Sequence, residues 1–126
     1  MTTVAAITAV LAGLLHVVIF VFESVTWSKP ATWRRFGVHS QADADVLKPM
    51  ALNQGFYNLF LGIGALVGAV LLLADSITVG RTLVVFSCGC MLAAAIVLVV
   101  SNPKLARAAV TQGTIPLLGV VFAVLI

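Results

Sequence analysis

Two ionisable side chains interrupt the most apolar opening of the sequence: His16 and Glu23 lie within the run Val4 to Val25, in the stretch HVVIFVFESVTW. A carboxyl group can hold a proton or a cation, and an imidazole can act as acid or base, so the pair is equipped for ligand binding or proton transfer. Their seven-residue separation, at about 100° per residue, brings both to one helix face, roughly 10 Å apart along the axis. Phe20 and Trp27 share that stripe. An acid and a base about 10 Å apart do not cooperate on one small bond, so a membrane-embedded isomerase-like enzyme using Glu23 and His16 is the weakest of the functional readings.

The second apolar run supplies what such a face would meet. Gln54, Tyr57 and Asn58 fall at i, i+3 and i+4, with Asn53 beside them, and their amides and hydroxyl suit a carboxylate that needs donors. The Trp27 indole is a further donor, and Gln112 or Thr111 offers another wall. Ionisable groups facing lipid are costly, about 2.5 to 3.5 kcal/mol for a charge at a helix centre by insertion scales. The spacing therefore predicts Glu23 turned inward, hydrogen-bonded by at least one of Gln54, Tyr57 and Asn58, with Trp27 closing the site and His16 deeper on the same stripe. The plainer reading is structural: such groups hold helices together at about 0.6 kcal/mol each.

Positioning those residues requires helices, and composition says which kind. With 62% hydrophobic and 9% charged residues, the chain is more apolar than soluble domains, in which the apolar share is about 45–50%. A bilayer-crossing helix needs about 20 apolar residues, and four runs qualify: 4–25, 51–73, 79–100 and 108–126. Strands are not expected, because open sheet edges cannot persist in lipid and the runs lack alternation. The expected fold is all-α: a polytopic integral membrane protein, four transmembrane helices in one bundle forming a single domain over 1–126, joined by a connection at 26–50. The first run has no Lys or Arg before it and exceeds a signal-peptide core, so it reads as a retained helix.

Charge orients the bundle. Lys29, Arg34, Arg35 and Lys48 lie in the first connection and Lys104 and Arg107 in the third, leaving only Arg81 in the second. The positive-inside rule puts the first and third connections in the cytoplasm and both termini outside, in a bacterial inner membrane. The net charge of +3 is thus a topological signal, and nucleic-acid binding is not expected, since no soluble basic module exists to carry it.

The first connection mixes Trp33, Arg34, Arg35 and Phe36, which suits a lipid headgroup layer. Ser40 followed by Asp43 resembles a capping box, so a short surface helix is expected over 41–47, with Pro49 ending or re-aiming it. That connection reads as an anchoring loop or as a lid over the polar cluster. Gly64 and Gly68 form a G-x-x-x-G pattern that permits close helix approach, within the bundle or in a homo-oligomer. Cys88 and Cys90 point about 160° apart on a helix, unsuited to a shared metal or a mutual disulfide. His39 has no Cys or His partner at metal spacing. No metal site and no cofactor are expected; the lipid bilayer is the one certain partner, and a small-molecule ligand is the open one.

NQGFYNLF (Asn53 to Phe60) and TQGTIPLL (Thr111 to Leu118) open the second and fourth runs, sharing Gln, Gly and one Leu in register. They suggest two helical hairpins in the same sense. The order LLHVVIFVFESVTW, FGV, NQGFYNLFLGIG, TQGTIPLLG resembles, over nearly the whole chain, the small bacterial four-helix membrane family known as domain of unknown function 1304. It is more remotely similar to the DoxX-like four-helix membrane proteins, in architecture only. The resemblance implies the four-helix fold and marks His16, Glu23, Trp27, Asn53, Gln54, Gly55, Tyr57 and Asn58 as signature positions; it brings no activity. The leading expectation is a polar site in the cytoplasmic half that binds or transports a small molecule or proton. The alternative is an accessory or scaffold membrane subunit.

Overall fold

The computed structural model describes residues 1–126 and contains helices only. Helix α1 spans Thr2–Phe20 and runs directly into a π-helical turn, Val21–Val25. A short α2 (Pro30–Trp33) follows, then the long α3 (Gln41–Leu73), α4 (Ile77–Ser101) and α5 (Ala106–Val124). Four segments are long and apolar enough to cross a membrane: Thr2–Val25, Gln41–Leu73, Ile77–Ser101 and Pro103–Val124.

Small residues set how closely these helices pack. Ala5, Ala9, Ala12 and Gly13 of α1 are buried, as are Gly62, Ala65, Gly68 and Ala69 of α3 and Gly113, Gly119 and Ala123 of α5. Between helices in lipid, where burial of apolar surface gives no drive, close backbone approach and dispersion contacts do the work. Gly64 faces Ser87, while a Cβ on Gly68 would lie 2.8 Å from Val84 Cγ2 and 3.1 Å from Gly80 O, so both glycines serve the α3–α4 contact. Cys88 packs on Gly119, whose added Cβ would sit 3.0 Å from Cys88 Sγ. Cys88 is buried and both cysteines are free thiols.

Hydroxyls inside the spans are satisfied locally. Thr8 bonds to Val4 O, Thr82 to Thr78 O and Thr114 to Val110 O, each one turn back along its own helix. That back-bonding removes the penalty of an unpaired donor in lipid.

The second long helix differs from the sequence expectation. The N-cap at Ser40 forms, its Oγ accepting from Asp43 N at 3.1 Å. The expected break at Pro49 does not occur: α3 is continuous for 33 residues, beginning at Gln41 rather than Ala51. At 1.5 Å per residue it is about 50 Å long, against a hydrocarbon layer of about 30 Å, so its first turns project beyond the apolar zone. Proline breaks a helix mainly by orphaning the carbonyl four residues back. Here that carbonyl belongs to Asp45, and both Asp45 and Pro49 are exposed, where a missing helix donor costs less than it would in a buried segment. A second proline, Pro116, lies buried within α5.

The connection between α1 and α3 folds onto this projection. Trp27 Nε1 donates to Ala44 O at 2.8 Å, and Trp33 Nε1 donates to Gln41 Oε1 at 3.2 Å. Trp27, Trp33, Ala44 and Ala51 form a small second core, with Phe36 packed against it. Arg34 and Arg35 lie over the rings of Trp33 and Phe22, at 5.2 and 5.1 Å from the ring centroids, where cation–π attraction holds them. Gly37 adopts the left-handed conformation (φ 76°) that ends the turn before α3, and its backbone faces Leu105 at the start of the last helical segment. The first and third connections therefore lie at one end of the bundle.

Candidate functional site

Glu23 sits in the middle of the π-helical turn. The turn is closed by Thr26 N donating to Val21 O at 2.9 Å, five residues back, one residue more than an α-helical turn holds. Thr26 Oγ1 contacts the Thr32 hydroxyl at 3.1 Å, tying the end of the turn to α2. Turns of this kind recur at functional sites because they redirect side chains out of the α-helical register.

Gly55 explains how the turn meets α3. A Cβ at that position would collide with Ser24 Oγ and lie 3.1 Å from Glu23 Cβ, so only a glycine lets the two backbones come this close. Leu52 and Asn58 flank Gly55 at three-residue spacing, on the same side of the helix. Ser24 Oγ donates to Leu52 O at 2.8 Å, and Asn58 Nδ2 donates to Glu23 Oε1 at 2.7 Å. The same Asn58 amide donates to Gln54 O at 3.1 Å. Both neighbours of that nitrogen are acceptors, which fixes it as the NH₂ end of the side chain.

Beside this junction lies a cavity of about 370 Å³, lined by Glu23, Ser24, Trp27, Ser28, Lys48 and Leu52 among others. Val25 and Leu52, two of its apolar lining residues, are exposed, so the cavity has an apolar rim at the surface of the bundle. Lys48 is the last charged residue of α3, which sets the cavity at the boundary between polar and apolar zones.

The other residues singled out in the sequence divide. Trp27 lines the cavity, but its indole N–H is committed to Ala44. Gln54, Tyr57 and Asn53 are exposed on the outer face of α3, and of the three donors proposed for Glu23 only Asn58 reaches it. Gln112 is half-buried on α5 and is not among the residues lining the cavity.

His16 is 2% exposed and stands apart from the cavity. Its Nδ1 lies 2.9 Å from Ala12 O. A carbonyl only accepts, so Nδ1 carries a hydrogen in this contact. His16 and Glu23 thus share neither a hydrogen-bond partner nor a cavity. The stripe drawn through both assumes a constant 100° per residue, and the π turn interrupts that count.

Three contributors were not singled out from the sequence: Ser24, Ser28 and Lys48. Ser24 follows Glu23 and faces Gly55, a pairing that only three-dimensional proximity reveals. Lys48 reads as a loop cation until α3 is seen to extend through it.

Comparison with known proteins adds one finding. A family model described as "Protein of unknown function (DUF1304)" matches residues 10–124, which takes in the π turn, the Gly55 ridge and all of α4. Neither a curated protein nor a solved structure matches the chain.

Proposed function

Because the chain belongs to this family, whose description carries no activity, we propose its function from the site itself: a membrane-embedded small-molecule binding protein whose recognition group is the Glu23 carboxyl. One observation carries the reading. Glu23 is held out of helical register by a π turn, receives a hydrogen bond from Asn58 on Oε1, and is one of the residues lining an open cavity. A carboxylate so placed offers its remaining lone pairs to a proton or to a small cation that donates hydrogen bonds.

Binding is favoured over passage across the membrane by the packing beyond the cavity. Ala5, Ala9, Ala65, Ala69 and Ala123 are all fully buried in the opposite half of the bundle, which supports a closed end. The basic end, with Lys29, Arg34, Arg35, Lys48, Lys104 and Arg107, belongs on the cytoplasmic side of a bacterial inner membrane by the positive-inside rule, with both termini outside.

A scaffold role has its own support, since the Glu23–Asn58 and Ser24–Leu52 bonds both join α1 to α3. The two readings part on ligand response. Melting of the detergent-solubilised protein is to be followed while a small primary ammonium ion is titrated in. A ligand that binds only the folded state raises stability by about 2.7 kcal/mol at a hundred times its Kd. Wild type should respond and Glu23→Gln should not, with its helix content unchanged; no response of wild type, or the same response in both, leaves the scaffold role.

A further inference from the structure

We propose that the ligand of this cavity is a phosphoethanolamine group, a primary ammonium joined through a short link to a phosphate, presented by a membrane lipid or as the free compound. The inference rests on the reading of the Glu23 cavity as a binding site and names its ligand class. The lining brings together ionisable groups of opposite sign from two elements: Glu23 from the π turn and Lys48 from α3. Asn58 holds one oxygen of Glu23, and a molecule with a cationic and an anionic end satisfies the other oxygen and Lys48 together.

The hydroxyls repeat that polarity. Ser24 Oγ spends its hydrogen on Leu52 O and presents only lone pairs, which suit an ammonium beside Glu23. Ser28 is exposed in the same lining, with a hydroxyl hydrogen for an anion beside Lys48. An anion met by a lysine and a hydroxyl is well matched by phosphate, which Lys contacts as a point charge.

The amine is a primary one. A trimethylammonium group has no hydrogen to donate and is recognised by aromatic faces. The one aromatic lining residue, Trp27, is buried and packs against Phe36 at 5.3 Å between centroids, so no aromatic cage is open to it. A primary ammonium instead donates directly to Glu23 and Ser24.

Depth and access fit a lipid source. The cavity sits at the polar boundary, and its Val25 and Leu52 rim is 66% and 47% exposed on the outer surface. That rim offers acyl chains an apolar exit while the head group turns inward.

The test uses the full-length, delipidated protein in detergent, with native mass spectrometry counting bound lipid for dioleoyl phosphatidylethanolamine, phosphatidylcholine and phosphatidylglycerol. Wild type should hold the ethanolamine lipid at least about tenfold better than either other lipid, a difference worth about 1.4 kcal/mol. Glu23→Gln should abolish the preference over phosphatidylglycerol. Lys48→Gln, a change on an exposed side chain that leaves folding untouched, should weaken retention of the ethanolamine lipid several-fold. Displacement of the bound lipid by O-phosphoethanolamine identifies the free compound as sufficient; no displacement identifies the lipid as the source. Equal retention of the three lipids, or a preference unchanged in both variants, overturns the proposal. If wild type, but not Glu23→Gln, is still stabilised by a simple ammonium ion, only the ligand class falls; if neither responds, the binding site falls with it.

Discussion

Gly13 and Gly62 meet backbone to backbone: a Cβ built on either would lie 2.9 Å from the other's carbonyl oxygen. The relationship fixes how α1 lies on α3, with Val17 of α1 also within 3.5 Å of the Gly62 position. It places the α1 π turn over Gly55, about two turns away along the same helix.

The contact makes a sharp prediction. Gly62→Ala puts a methyl group against main chain that cannot rotate away, so it should destabilise the solubilised protein by about 1–3 kcal/mol. Gly89→Ala serves as the counterpart, since nothing lies within 4 Å of its added Cβ; it should be neutral or stabilise by up to about 1 kcal/mol through helix propensity. Thermal unfolding in one detergent compares them, and equal effects would dismiss the close contact. Gly68→Leu should likewise lower stability through the α3–α4 packing; an unchanged melting profile with loss of a dimer would instead assign Gly68 to an oligomer interface.

Trp27→Phe tests how the connection is anchored. The change keeps the ring packed on Phe36 but deletes the Nε1 donor to Ala44 O. A lost hydrogen bond of this kind costs about 0.5–1.5 kcal/mol. Because Ala44 lies in the projecting part of α3, the loss should appear as faster amide exchange around Ala44 rather than across the bundle. Unchanged protection there would show that the indole bond does not anchor α3.

What the sequence made legible follows from which forces act locally. Hydropathy located the four spans, and Ser40 announced a helix start at Gln41, though as a short separate helix, because burial and capping are read from neighbouring residues. Three things depended on distant context. Pro49 stays within α3 at an exposed part of the helix, where the carbonyl it frees is not buried among apolar neighbours, a fact about exposure rather than sequence. The π turn at Glu23 leaves no mark in residue types, and it undid the stripe drawn from His16 to Trp27. Gln54 and Tyr57 share a side with Asn58 by periodicity, yet Gly55 and Leu52 make the actual contact with the π turn, so only Asn58, next on that ridge, reaches the carboxylate.

Orientation is testable at positions the structure leaves free. Ser40 is a poor labelling site because its hydroxyl caps α3, whereas His39 is exposed and bonds to nothing. In a chain with Cys88 and Cys90 replaced, His39→Cys should react with an impermeant thiol reagent only after cells are opened, and Thr78→Cys, at the other end of the bundle, should react in intact cells. The reverse pattern would put the Glu23 cavity on the external side and overturn the positive-inside reading.

The last prediction separates the bond to Glu23 from its charge. Glu23→Gln keeps an oxygen acceptor for Asn58 Nδ2 at the same reach, so stability should change by less than about 1 kcal/mol. Glu23→Leu removes the acceptor and leaves one amide hydrogen of Asn58 without a partner in a part-buried site, at a cost of about 1–3 kcal/mol. Asn58→Leu in the Glu23→Leu background removes both polar partners, and replacing both by apolar groups is close to neutral. The double variant should therefore be more stable than Glu23→Leu alone, a coupling that unfolding of the four proteins in one detergent measures directly. Additive losses would show that the 2.7 Å contact between Asn58 and Glu23 contributes nothing to the α1–α3 junction.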